Sequence, residues 1–180
     1  MKHEFSCGTP SKLLFFSRPG GTKLHSEASI RIGGAEVLQG GGILSTVLGS
    51  CVGLLLVHRP SQTAGMSHML LPHGAADLPS PGKYVNLAVP RLLSEVMATA
   101  KCSVDQIDAY AAGGATMYPT SIHPTIGQKN IDALMTVSHR LEIQILETDF
   151  GGSNARRLSY CLDTDVRSIW KIERGTKADD

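Results

Sequence analysis

Residues 52–58 read VGLLLVH, and the run closes against Pro60 two positions later. An apolar run of that length before a proline has the length of a strand rather than a helix. The preceding stretch, GGGILSTVLGS at 40–50, is led by glycines and rich in Ile, Leu, Val and Thr, which suits a second strand. Cys51 therefore falls at the junction of two strands, with Gly49 and Gly53 two positions away on either side. Glycine there leaves room for another backbone to approach.

The remaining chain supplies more strands than helices. IRIGGAEVL (30–38), AGMSHMLLP (64–72), IDAYAAGGATMY (107–118) and EIQILETDF (142–150) read as strands, and RRLSYCLDTDVRSIWKIE (156–173) as a hairpin turning at DTD. YVNLAVPRLLSEVMATA (84–100) has helical spacing, with the helix proper expected to begin near Pro90. QKNIDALMTVSHRL (128–141) is a second helix, with Ile131, Leu134, Met135 and Ser138 on one side. Two long helices that do not alternate regularly with strands predict an α+β layered domain rather than a doubly wound nucleotide-binding fold. Residues 1–28 mix Gly, Pro, Ser and Lys without periodicity and read as a flexible extension, leaving 29–180 as one domain.

Composition narrows the function. Seventeen Lys+Arg against 16 Asp+Glu provide no general field for gathering nucleic acid or acidic lipid. No segment approaches the roughly 18 apolar residues of a membrane span, so neither nucleic-acid binding nor membrane insertion is expected. The four cysteines are far apart and form no zinc-ligand spacing, so no metal is expected. A cytoplasmic location, with reduced thiols, follows as the default. The glycines at 40–42 lack the following Lys-Ser/Thr of a phosphate loop. GSCVG resembles a nucleophile elbow, but the strand after Cys51 speaks against the strand-turn-helix context that elbow needs.

Taken alone, Cys51 reads as a buried small hydrophobe. His68 changes the balance, because it would lie on the strand after 52–58, where antiparallel pairing can bring it beside Cys51. A neighbouring imidazole can take the thiol proton and generate the reactive thiolate. His58, His73, His123 and His139 are expected at the surface. Ser45 and Thr46 are candidates to orient an imidazole, and Ser45 shares side-chain parity with Cys51 if the strand runs on uninterrupted.

STVLGSCVGLLL, GMSHMLLP, YVNLAVPRLLSEV, AGGATMY, IGQKN and TDFGGSNARRLSY occur in the order and approximate spacing of the CheD family of bacterial chemotaxis proteins, the chemoreceptor glutamine deamidases. The chain resembles that family over about residues 30 to 172. The resemblance implies a layered α/β/β sandwich like that of deamidating bacterial toxins. It implies conversion of receptor glutamines to glutamate by Cys51, His68 and a hydroxyl residue, without metal or organic cofactor. Members reading T-x-G-L-G-S-C place their threonine where this chain has Ser45, and Thr46 stands next to it. Backbone groups near Gly49 and Ser50 are candidate oxyanion or substrate contacts. The implied partners are methyl-accepting chemotaxis receptors and a chemotaxis phosphatase. The competing readings are a non-catalytic adaptor for receptors or signalling proteins, and a thiol hydrolase of another amide or ester.

Overall fold

A computed structural model describes residues 27–118, 121 and 123–172. Eleven elements carry the fold: strands β1 (Glu27–Ser29), β2 (Ala35–Gln39), β3 (Ile43–Leu48), β4 (Val52–His58) and β5 (Thr63–Met69), helix α1 (Val85–Ala100), strand β6 (Asp108–Gly113), helix α2 (Ile126–Arg140), then strands β7 (Ile145–Phe150), β8 (Ala155–Cys161) and β9 (Val166–Ile172). Five strands pair in the order β2-β5-β4-β6-β7 and four in the order β1-β3-β8-β9, each sheet mixing parallel and antiparallel pairs. The architecture is α+β, as expected.

Strand β4 explains why its sequence does not alternate. Val52, Leu54 and Leu56 pack into a core shared with α1 and α2, while Leu55 and Val57 pack into a second core shared with β3 and β8. A strand covered on both faces reads as a continuous apolar run. Both helices thus lie on one face of the five-stranded sheet, and the four-stranded sheet lies on the other. At the His58 end, Arg59 pairs with Asp108 and, at 2.7 Å, with Asp165, tying the sheets together far from Cys51.

Several local expectations are corrected. Glu27 and Ala28 already belong to β1, so the folded part begins before residue 29; backbone pairing with β3 and inward packing of Ala28 order a strand whose three residues show no pattern of their own. Residues 1–26 lie outside the described residues. The single strand expected over 30–38 is broken by a turn at Arg31–Gly34, where Gly33 has φ +77°. Helix α1 starts at Val85 and contains Pro90. Burial of Val85, Ala88 and Val89 holds that first part, as does a pair of 2.9 Å bonds between the Asn86 amide and Gly74. Contact with the sheet therefore outweighs the backbone bond that the proline removes.

Helix α2 begins two residues earlier than expected, capped by Thr125, whose hydroxyl accepts the Gln128 N–H at 3.2 Å. Its buried stripe is Gly127, Asn130, Ala133, Leu134, Val137 and Ser138, and Met135 is exposed instead. Gly127 sets the docking angle, since a Cβ there would overlap the carbonyl oxygen of Gly114 just past β6.

Candidate active site

Cys51 occupies a bend between β3 and β4, where the chain leaves one sheet and enters the other. Three carbonyls of this bend are held in turn: Gly49 O by the Ala115 N–H at 2.9 Å, Ser50 O by Asn130 Nδ2 at 2.9 Å, and Cys51 O by the Gly114 N–H at 2.8 Å. The glycine pair after β6 makes this fit possible. A Cβ on Gly113 would overlap the Cys51 carbonyl oxygen.

In the antiparallel register of β4 and β5, Gly53 lies opposite His68. Cys51 is two residues before Gly53, so it lies diagonal to His68 on the same face. Such diagonal neighbours stand about 7–8 Å apart between Cα atoms and remain within reach of a ring side chain. Thr46 reaches His68 from the opposite sheet: its Oγ1 lies 2.8 Å from His68 Nδ1 and donates to the Ile30 carbonyl at 2.8 Å. A hydroxyl has one proton. With that proton on Ile30 O, Nδ1–H must be the donor to Thr46, which leaves the lone pair on Nε2. We assign this tautomer from the network, and Nε2 is buried without a hydrogen-bond partner.

Ser45 is buried but alternates onto the other face of β3, paired with Ser159. Shared side-chain parity between Ser45 and Cys51 requires a continuous strand through Cys51. The bend and the change of sheet remove that continuity, and Thr46 is the hydroxyl beside the imidazole. His73, His123 and His139 are exposed, as expected. His58 is buried at the far end of β4, with Nδ1 2.7 Å from Ser61 Oγ. A local polar partner makes that burial tolerable, contrary to the surface position expected.

Burial dominates the electrostatics. Desolvation raises the Cys51 thiol above its ordinary value, and the residue's own backbone N–H partly offsets this. Desolvation lowers His68 below the ordinary 6.5, opposed by the Ile30 carbonyl. Both effects favour a neutral thiol beside a neutral imidazole in the free protein. Unfolded His68 then takes up its proton before folded His68 does, so stability falls as pH drops from the ordinary histidine value toward the folded one. Thermal unfolding between about pH 7 and pH 5 should show this decline, and His68→Gln should show less of it.

Arg156, in the last of the six motifs, is a buried charge. Arg156 Nε is 2.9 Å from Asp149 Oδ1, within ion-pair range but off the hydrogen-bonding direction, and Nη1 donates to Asn154 O at 2.9 Å. Beside the bend, a cleft of about 360 Å³ is lined by Ser50, Met117, Tyr118, Thr125, Ile126 and Lys129, among others. Among the described residues, no group of three His, Cys, Asp or Glu side chains could hold a metal ion. Nor is any described helix long and apolar enough to cross a membrane.

Sequence reasoning missed Asn130. Its motif, IGQKN, was visible, and its position four residues before Leu134 put it on the buried side of α2. A polar side chain on an apolar stripe was the available signal.

Fold and site together define an α+β protein with a thiol, an imidazole and a hydroxyl gathered between two sheets, a set suited to nucleophilic attack on an amide. The family model described as "CheD chemotactic sensory transduction" matches residues 70–169. The chain is 31% identical to the chemoreceptor glutamine deamidase CheD of Thermotoga maritima over 147 residues, 81% of this chain and 92% of the relative. It is 35% identical to the chemoreceptor glutamine deamidase CheD of Halalkalibacterium halodurans over 136 residues, 72% of this chain and 83% of the relative. The chain belongs to the CheD family. The family-model match starts two residues after His68, whereas an alignment over 81% of 180 residues spans both Cys51 and His68 wherever it begins.

Proposed function

We propose that this protein is a protein-glutamine deamidase that converts selected glutamines of methyl-accepting chemotaxis receptors to glutamate in the cytoplasm, using Cys51 as nucleophile. The observation that carries the reading is the unpartnered Nε2 of His68, aligned by Thr46 and placed on the face that Cys51 shares. The names of the relatives supply the substrate class. The helix, sheet, sheet order of the two cores supports the layered α/β/β sandwich that the resemblance implies, within one domain that includes residues 27 to 172.

In this mechanism Nε2 accepts the thiol proton as Sγ adds to the carboxamide carbon. The His68 imidazolium then protonates the departing nitrogen, the C–N bond breaks, and ammonia leaves a thioester on Cys51. His68, neutral again, takes a proton from water as that water attacks the thioester. Glutamate and the free thiol result. In this mechanism backbone N–H groups at the Gly49–Cys51 bend serve as donors to the developing oxyanion, and the cleft beside Ser50 offers a concave surface for the segment bearing the glutamine. A chemotaxis phosphatase that covers this surface would act as a regulator.

The test is mass spectrometry of a purified receptor cytoplasmic fragment incubated with the protein. Selected glutamines are expected to appear as glutamates, with ammonia released in equal amount. A fragment that binds the protein yet keeps every glutamine would replace this reading with that of an adaptor.

The third member is tested separately. Thr46→Val keeps the shape but removes the acceptor for Nδ1–H, and should lower kcat about 10–10²-fold, as loss of an orienting partner of a histidine commonly does. The Ile30 carbonyl, 3.5 Å from Nδ1, limits the loss by offering a weaker substitute. Ser45→Ala should leave kcat unchanged. The reverse ranking in the same assay would transfer the role to Ser45.

A further inference from the structure

Asn130 lies on α2 with no solvent exposure. Both protons of its Nδ2 are placed: one goes to the Ser50 carbonyl and one to the Leu70 carbonyl, each at 2.9 Å. The first carbonyl belongs to the bend that carries Cys51, and the second lies two residues beyond His68. One side chain thus ties together the segments that present the thiol and the imidazole.

Asparagine is a weak helix former, and here its Oδ1 is buried without a partner. An apolar side chain in the same stripe would avoid both penalties but leave the Ser50 and Leu70 carbonyls without these donors. The two bonds offset the penalties locally, and a residue set by function should bring a gain at the site as well.

The direction of the Ser50–Cys51 peptide supplies the gain. In a planar trans peptide, C=O and N–H point opposite ways. The Ser50 carbonyl is drawn toward α2, on the helical side of the five-stranded sheet. The Cys51 N–H must therefore point to the other side, where the Cys51 side chain packs and His68 lies. We propose that Asn130 is a positioning residue: by holding the Ser50 carbonyl, it aims the Cys51 backbone N–H at the oxygen that becomes negative when the thiolate adds to a carboxamide. The inference rests on the deamidase reading above. As the S–C bond forms, the carbonyl π pair moves onto that oxygen and the thiol proton moves to His68. On collapse the pair re-forms C=O and the C–N bond breaks, releasing ammonia.

Two reactions of the same thiol separate this role from a general structural one. Deamidation develops an oxyanion, whereas alkylation by iodoacetamide displaces iodide at a saturated carbon and does not. Asn130→Ala should lower kcat for the receptor fragment about 10–10²-fold, with KM little changed, and leave the rate of Cys51 alkylation as in the wild type. Equal kcat in the two proteins would overturn the inference alone, as would a parallel loss of both reactions in a variant that remains folded. A wild type that leaves the receptor fragment unmodified would overturn the deamidase reading and this inference with it.

Removing Asn130 can also unfold the chain, so a second measurement uses the wild type only. The protein is labelled with ¹⁵N-cysteine and treated with a receptor peptide bearing an aldehyde in place of the target carboxamide. The thiol adds to that aldehyde, and the adduct oxygen occupies the oxyanion position. The Cys51 amide resonance, assigned by its absence from Cys51→Ala, should move downfield as the adduct forms. An adduct that leaves this resonance in place would overturn the inference.

Discussion

Cys51→Ala is expected to lower deamidation of the receptor fragment by at least about 10⁴-fold, and His68→Gln by about 10³–10⁴-fold. The thiol supplies the only bond to substrate in the proposed mechanism, and Nε2 supplies the only base for a thiol that burial keeps neutral. Because the two groups act as a unit, the double variant should be no slower than Cys51→Ala alone. Glutamine in place of His68 keeps a polar side chain that can still meet Thr46, so the loss reads proton transfer rather than collapse of the network. Unfolding midpoints close to the wild type would confirm that the fold is retained. Turnover surviving in Cys51→Ala would remove the thiol from the mechanism, and additive losses would mean that the two residues do not work on the same step.

Gly113→Ala should destabilise the protein by about 3 kcal/mol and abolish measurable turnover. Two effects combine at this one position. Gly113 has φ +112°, which an L side chain adopts only under strain, and its Cβ would overlap the Cys51 carbonyl oxygen. That oxygen cannot move away freely, because it accepts the Gly114 N–H at 2.8 Å. Relief of the overlap therefore has to displace the bend that carries the nucleophile. For a chain of this size, a loss of that magnitude lowers the unfolding midpoint by about 6–12 °C. Gly40→Ala is the control: its φ is also positive, at +81°, but its Cβ would meet nothing within 4 Å. It should show the strain alone and leave turnover unchanged. Equal effects from both substitutions would mean that backbone strain, not the contact with Cys51, accounts for Gly113.

Much of the site was legible because it is local. Cys51 and His68 flank a single hairpin, β4 and β5, joined by the turn at Pro60, so strand length and antiparallel pairing alone bring them to neighbouring positions. The helices were legible from their apolar spacing, although not their ends. Pro90 marked a start that packing against the sheet moved five residues back, to Val85. Met135 fits a helical stripe as well as Ala133 does, and only the sheet beneath α2 chooses between them.

An α+β chain, a thiol held on a glycine-flanked junction and a histidine one strand away all follow from the order of residues along the chain. The tertiary structure alone decided which hydroxyl meets that histidine, which ring nitrogen is left free, and which helix grips the bend. Thr46 and His68 belong to different sheets, and Asn130 is 80 residues from Ser50. No periodicity within one segment can report the stacking of one sheet on another, because that stacking depends on how all the buried side chains of both layers fill the space between them.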